Sequence, residues 1–394
     1  MREGPVGLVL GGGGARGAYE AGVLSVLLPL LEERDEGPRI LIGTSAGALN
    51  VSFLAANAQL AMDELIAEAL ATWESVGWGE VARPLLSAAS VRRAVGYVGE
   101  VLGVSGLRIS SLLDPEPLRV TLRERVDFER IEENVHGGRI DAAGVVATSA
   151  LTGRSVVFHS GLVSPPPDDR RGIDYVAARL AEEHVLASAA IPGIFPAVRV
   201  TRPRRAQGWY FDGGIRLNTP IKPALVLGAA RVVVVAVTSV APGGADLAGA
   251  QRPDALEAAG QILIGVLEDQ LAADVQTLAG INELLTASGG SPRAGKRVVP
   301  YILVTPAESD PIAARALRVV RAHYSGSLQA ITSDVALLAR LTAAGADARH
   351  AALLSFLLFA PEFAQALIEL GQQDARRWIG QAHDLDELWQ LGAL

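Results

Sequence analysis

Ser45 lies in Gly43-Thr44-Ser45-Ala46-Gly47, after the apolar run Arg39–Ile42 and before the helix-permissive Ala48–Leu54. Strand, sharp turn and helix in that order form a nucleophile elbow, which lifts a serine hydroxyl above a sheet edge. Glycines at 43 and 47 keep side chains out of a turn where they would meet strand and helix backbones. The Ala46 N–H then sits at the positive end of the new helix and points into the same space. The chemistry on offer is acyl transfer through a covalent serine intermediate.

A second glycine turn, Gly11-Gly12-Gly13-Gly14-Ala15-Arg16-Gly17, follows the apolar strand Val6–Leu10. Gly12, Gly14 and Gly17 satisfy G-X-G-X-X-G, so a dinucleotide fingerprint competes for this stretch. That reading wants a carboxylate for a ribose at the end of the second strand, and this strand ends in Gly43-Thr44-Ser45. A phosphate-binding P-loop fails because Ala18 follows Gly17 where Lys-Ser/Thr is required. An oxyanion hole fits better. Bare amides of Gly13 and Gly14 can approach a developing tetrahedral oxyanion that a side chain would hold off.

Two further groups could act as bases. Trp209-Tyr210-Phe211 reads as a strand ending in Asp212-Gly213-Gly214, a carboxylate with little bulk around it. His159 lies on a hairpin strand, where a packing histidine is the commoner outcome. The turn Arg202-Pro203-Arg204-Arg205 is basic; a solvated hairpin tip accounts for it more readily than contact with anionic head groups.

Taken together, Gly12–Gly17, Gly43–Gly47 and Asp212-Gly213-Gly214 resemble the patatin-like phospholipase family in order, type and approximate spacing. Ala187–Pro196 before the aspartate and Asn218-Thr219-Pro220-Ile221 after it add to the match. The resemblance covers roughly residues 6–240, with an extension to the strand near 298–305. It implies a three-layer α/β/α fold with a mostly parallel central sheet, and a Ser-Asp dyad in place of a triad. By position it makes Ser45 the nucleophile and Asp212 the general base. Gly13, Gly14 and Ala46 become the oxyanion hole, with Gly12, Arg16, Gly17, Gly43, Gly47, Gly213 and Gly214 as supporting motif positions. The histidine inventory agrees: beyond Asp212 stand only His323, His350 and His383, in a helix-rich region without flanking glycines. A carboxylate acting as base would need its proton affinity raised by a partly dry site.

The elements around these residues follow from periodicity. A helix over Ala18–Arg34 buries Ala21, Leu24, Leu27, Leu28 and Leu31 on one face. With its flanking strands it makes a right-handed β-α-β unit. Helices are expected at Met62–Ser75, Pro115–Val126, Tyr175–Ser188 and Pro220–Gly228. Strands are expected at Asp141–Ser149 and Ser155–Ser160, hinged at Leu151-Thr152-Gly153-Arg154, and at Ala197–Val200 and Arg231–Thr238. Val81–Gly106 is too irregular to assign, and the charges of Glu124–Glu133 read as a solvated helix face. Ala241–Pro253 reads as a linker, Leu256–Leu285 as a long helix, Ala287–Lys296 as a loop and Arg297–Thr305 as an added strand. Residues 1–308 form the expected catalytic domain. Residues 309–394 form a helical C-terminal extension of three or four helices. Its most apolar window, Leu353–Phe359, reads as a helix packed on the sheet first and as a lid or membrane-facing element guiding acyl chains second.

Composition sets the outer bounds. The chain has 394 residues, 49% hydrophobic and 20% charged, enough for one large domain or two. A net charge of −8 argues against nucleic acid as a partner, and zero cysteines exclude disulfides and thiolate chemistry. No metal or cofactor is expected. Met1–Pro5 runs directly into a strand, and the longest apolar runs, Ala224–Val240 (interrupted by Arg231) and Ala351–Ala360, fall short of a membrane span. The expectation is a cytoplasmic serine lipid acyl hydrolase of phospholipase A or lysophospholipase type, in peripheral contact with lipid. Its substrate would be a phospholipid or lysophospholipid, and its oligomeric state is left open. The same residues would serve a storage-polyester or thioester hydrolase, and a non-catalytic lipid-binding protein could use the same scaffold. A nucleotide-dependent oxidoreductase rests on the glycine turn alone.

Overall fold

A computed structural model of the chain describes residues 4–83, 113–239, 265, 270–289, 296–307, 311–324, 348–382 and 388–392. Among them, nine strands share one sheet. They are β1 (Val6–Leu10), β2 (Pro38–Thr44), β3 (Ala142–Ser149), β4 (Ser155–Gly161), β5 (Ile173–Ala177), β6 (Val198–Val200), β7 (Gly208–Asp212), β8 (Arg231–Val235) and β9 (Tyr301–Val304). The main path runs β5-β4-β3-β2-β1-β8-β9, with β7 paired to β3 and β6 to β7. Pairs from β3 through β2, β1 and β8 to β9 are all parallel, as is β4 with β5. The β3–β4, β3–β7 and β6–β7 pairs are antiparallel.

Alternation along the buried strands divides the core in two. Leu8, Leu10, Leu41, Val233, Val235, Ile302 and Val304 face one helical layer. Val9, Ile40, Ile42, Val232, Val234 and Leu303 face the other. A period of two with apolar residues on both faces is what a sheet sandwiched between helices requires. The first layer holds α1 (Gly17–Glu33), α2 (Ala46–Ala56), α3 (Met62–Ser75), α4 (Trp78–Val81), α5 (Glu116–Arg125), α6 (Phe128–His136) and α7 (Glu182–Ser188). The second holds α8 (Ile221–Val226) and α9 (Gln270–Ala287). The architecture is the three-layer α/β/α arrangement expected.

One expected element changes type. Tyr175–Ser188 is not a continuous helix: Ile173–Ala177 is the edge strand β5, laid parallel on β4 with Tyr175 opposite Val157. The apolar residues there suit either period, and pairing with an open sheet edge decides the matter. The helix begins at Glu182, where the Ala181 amide donates to His184 Nδ1 at 3.0 Å. The expected strands at 231–238 and 297–305 are shorter, Arg231–Val235 and Tyr301–Val304. Most of Val81–Gly106, the linker Ala241–Pro253 and the start of the helix Leu256–Leu285 lie outside the described residues.

The C-terminal segment contributes α10 (Pro311–His323), α11 (Ala348–Leu357) and α12 (Pro361–Gln381). Two glycines let α12 lie against α1: a Cβ at Gly22 would overlap the Ile368 carbonyl, and one at Gly371 the Tyr19 carbonyl. Tyr19 Oη donates to Asp374 Oδ2 across this contact at 3.1 Å. The chain then returns to the sheet, where Gln390 and Tyr301 exchange backbone hydrogen bonds of 2.8 and 3.0 Å. Trp389 Nε1 donates to Glu36, and Glu36 is ion-paired with buried Arg231 at 2.7 Å. Among the described residues, no single helix is long and apolar enough to cross a membrane.

A methyl group placed in the α1–α12 contact has nowhere to go. Gly371→Ala is expected to lower stability by about 1–3 kcal/mol through overpacking. Gly380→Ala, on the same helix with open space around it, is expected to raise stability by up to about 1 kcal/mol. Thermal unfolding of the two variants checks the pair of signs.

Candidate active site

β2 ends at Thr44, α2 begins at Ala46, and Ser45 between them has φ +53° and ψ −117°. A non-glycine residue in this region stores roughly 1–3 kcal/mol of backbone strain, which the surroundings must hold. They do so with hydrogen bonds. The Ser45 amide donates to Ser188 Oγ at 2.9 Å, and Ser188 Oγ donates to the Val146 carbonyl at 2.5 Å. Thr44 Oγ1 donates to the Leu217 carbonyl at 3.0 Å. The elbow admits no bulk at its flanks: a Cβ at Gly43 would overlap the Gly47 carbonyl, and one at Gly47 the Leu10 carbonyl.

The first glycine turn wraps the same point. Asn218 clamps Gly12 from both sides, accepting its amide at 3.0 Å and donating to its carbonyl at 3.4 Å. Gly12 is also within van der Waals reach of Ser45, since a Cβ there would lie 3.1 Å from the serine Cβ. Gly14 has φ +57° and lines the same slot as Ser45 and Ala46. Among the described residues, no protein acceptor engages the Gly13, Gly14 or Ala46 amide. These are the three donors that the resemblance assigns to an oxyanion.

Arg16 points away from the slot into the protein. It is buried, donates through Nε to Ser355 Oγ at 2.9 Å and through Nη2 to the Ala352 carbonyl at 3.2 Å, and stacks 4.0 Å over the Phe356 ring. The helix carrying the window Leu353–Phe359 therefore packs chiefly on α10 and then on the glycine turn, rather than chiefly on the sheet, and Phe356, Leu357 and Phe359 line the slot. A Cβ at Gly14 would overlap the Phe356 carbonyl.

Asp212 closes the arrangement from β7. It pairs with Ala147 of β3, its carbonyl accepts Thr148 Oγ1 at 3.0 Å, and its amide donates to the Ala190 carbonyl at 2.9 Å. The side chain is wholly buried. Oδ1 accepts the Gly214 amide at 2.7 Å. Oδ2 has no fully formed hydrogen bond, though the neighbouring Ser45 hydroxyl is near enough to favour the charged form. Burial dominates and raises the carboxyl from 3.8 to about 7. Contacts between nucleophile and base are commonly loose without substrate and tighten when it binds.

The slot over Ser45 is apolar. Leu49 and Phe53 of α2, Val76 after α3, Leu118 and Leu122 of α5, Ile191, Phe195, Phe356, Leu357 and Phe359 line it. Among the described residues, Arg125 is the one charged residue in that lining. Behind it, Asn50 Nδ2 donates to Glu20 Oε2 at 2.8 Å and to the Gly17 carbonyl at 3.1 Å, while Trp73 Nε1 donates to Asn50 Oδ1 at 2.8 Å. This network ties α1, α2 and α3 together around the elbow.

No described histidine lines the slot. His159 sits on β4 opposite Gly144, fully buried with both ring nitrogens unpartnered, and burial lowers it to about 4. His184 is held between the Ala181 amide and the Arg202 carbonyl. Among the described residues, no His/Asp/Glu group could hold a metal ion. Thr148 carries no motif signal, while Ser188 sits in the Ala187–Pro196 block and Phe356 in the apolar window Leu353–Phe359 without a role of its own in either. Each supports the elbow, the base or the slot through contacts that only folding creates.

Residues 8–225, more than half of the chain, match the family described as patatin-like phospholipase, and the chain belongs to that family. Membership supports lipid acyl hydrolysis as the general activity. Solved structures with similarity include VipD from Legionella pneumophila, at 12% identity and TM-score 0.33 over 95% of this chain and 68% of that one. Human GIVD cytosolic phospholipase A2, complexed with methyl gamma-linolenyl fluorophosphonate and terbium chloride, aligns at 11% identity and TM-score 0.36. That alignment covers 95% of this chain and 60% of the human one. No curated protein sequence matches significantly.

The Asp212 environment has a measurable consequence for stability. Its folded-state value of about 7 lies above the ordinary 3.8, so the native state holds a proton that the unfolded chain releases. The resulting penalty is absent below pH 3.8, grows as pH rises and is complete above about 7. It reaches about 4 kcal/mol as an upper figure. Asp212→Asn is expected to be more stable than wild type at pH 8 and close to it at pH 4. Denaturant unfolding at the two pH values checks this; a constant difference would contradict it.

Proposed function

We propose that the chain is a serine lipid acyl hydrolase of phospholipase A or lysophospholipase type, working through Ser45 and Asp212. One observation carries the reading: a fully buried carboxylate with raised proton affinity lies beside a strained elbow serine, at an apolar slot. Ser45 Oγ attacks the acyl carbonyl as Asp212 takes the hydroxyl proton. The tetrahedral oxyanion accepts hydrogen bonds from the Gly13, Gly14 and Ala46 amides, each donor contributing roughly 3 kcal/mol at the transition state. Collapse breaks the carbon–oxygen bond, and Asp212 returns its proton to the departing alkoxide. Water then attacks acyl-Ser45, giving a proton to Asp212, which passes it to Ser45 as the fatty acid leaves. The acyl chain occupies the slot, where Phe53, Leu122 and Phe356 exchange water contact for hydrocarbon contact.

A base that titrates near 7 must be ionised in the free enzyme. The kcat/KM for a p-nitrophenyl acyl ester is therefore expected to rise with pH through about 7 and level off above it. Ser45→Ala abolishes turnover and labelling by a fluorophosphonate probe, and Asp212→Asn lowers kcat by roughly 100- to 10,000-fold. Assays with that ester and with a lysophospholipid, alongside mass spectrometry of the labelled protein, check both. Activity surviving both substitutions removes the dyad. Inert, unlabelled wild type leaves a non-catalytic scaffold or an enzyme awaiting its activator, and a repeat with liposomes present separates the two.

A further inference from the structure

Residues 197–209 contain four arginines, Arg199, Arg202, Arg204 and Arg205, and no carboxylate, in a chain of net charge −8. They form the β6–β7 ribbon and its turn. The ribbon has two faces. Val198, Val200, Tyr210 and Asp212 point inward, while Arg199 and Trp209 are cross-strand partners on the exposed face. Trp209 is 55% exposed, and the adjoining β3–β4 tip presents Leu151 at 93% exposure. The two hairpins are joined by the Ala150 amide, which donates to the Trp209 carbonyl at 2.9 Å.

Among the described residues, no ion pair engages the guanidinium of Arg199, Arg202 or Arg204, and Arg205 donates to the Ala177 carbonyl at 2.9 Å. The carboxylate beside the turn, Glu183, accepts Thr201 Oγ1 and the amides of Thr201 and Arg202. A tryptophan turned out to solvent beside arginines without ion pairs, with an exposed leucine on the adjoining tip, matches one environment closely. Indole rings settle at the head-group level of a bilayer, and arginines gain from its negative surface potential. Trp209 is also three residues from Asp212 along β7, about 10 Å at strand rise. A bilayer docked here would lie close to the candidate site.

We infer that the β6–β7 ribbon, with the β3–β4 tip, is a docking surface for an anionic lipid bilayer. The inference extends the lipid acyl hydrolase reading, and measuring binding on Ser45→Ala protein keeps the two apart. Ser45→Ala protein is sedimented with phosphatidylcholine vesicles, with and without phosphatidylserine. It is expected to bind the phosphatidylserine vesicles, and less so as salt is raised. Arg202→Gln and Arg204→Gln should each weaken partitioning about fivefold. Trp209→Ser and Leu151→Ser should weaken it several-fold. In the Ser45-intact protein, each of the four should leave the unfolding midpoint and hydrolysis of a monomeric p-nitrophenyl ester unchanged. The proposal is overturned if the parent binds no vesicles, binds both kinds equally, or binds no more tightly than the four variants. It is also overturned if the variants change sedimentation velocity of the protein alone, which makes the ribbon a contact between copies. Vesicle binding lost in the variants, with no ester hydrolysis by any form, keeps the surface and removes the hydrolase reading.

Discussion

A carboxylate exposed to water is a poor base at neutral pH, and a buried one is costly to keep charged. The candidate site rests on that tension. Asp212 is fully enclosed, with one hydrogen bond to Oδ1 and none fully formed to Oδ2. An additional donor at Oδ2 would make the carboxylate easier to keep ionised and a weaker acceptor for the Ser45 proton. The surroundings follow from keeping this group dry. Gly213 packs its backbone on the Val146 carbonyl, the Thr148 hydroxyl fixes the Asp212 carbonyl, and the residues around Ser45 are almost all hydrocarbon.

The same economy of space governs the backbone near Ser45. Segments far apart in sequence meet there, among them the glycine turn, the elbow, β7, the Leu217–Asn218 stretch, the loop after α7 and the end of α11. Glycines occur where backbone carbonyls crowd in, from another segment at Gly14 under Phe356 and Gly47 under Leu10, and within the elbow itself at Gly43 under Gly47. Arg16 then locks the glycine turn to α11 through Ser355, Ala352 and the Phe356 ring. A helix beyond the family match thus supplies both a wall of the slot and a brace for the turn that carries the candidate oxyanion donors. Its apolar character reflects both packing and lining.

The protein's charge is unevenly placed. A net negative chain carries a basic ribbon, and one strand of that ribbon, β7, delivers Asp212. One short strand therefore couples a buried polar task to an exposed one, because successive side chains of a strand point to opposite sides.

Local sequence determined the elements whose chemistry is local. Glycine spacing around Ser45 and the apolar runs at 6–10 and 231–235 specified an elbow and parallel core strands, since turn sterics and two-sided burial leave their marks within a few residues. The placing of Ser45, Asp212 and the glycine amides was legible only as a family resemblance, because residues 12, 45 and 212 have no physical relation until the sheet sets β1 beside β2 and joins β7 to them through β3. Tertiary structure alone decided the rest. The segment 173–177 became a strand because β4 offered a free edge. Ser188 and Thr148 became supports because their hydroxyls fell opposite unsatisfied backbone groups. The helix at 348–357 reached the site because α12 docks on α1 through Gly22 and Gly371 and brings its neighbour with it. A hydrogen-bond partner or a packing surface that lies a hundred residues away leaves no periodicity to read, so these roles appear only when the chain is folded.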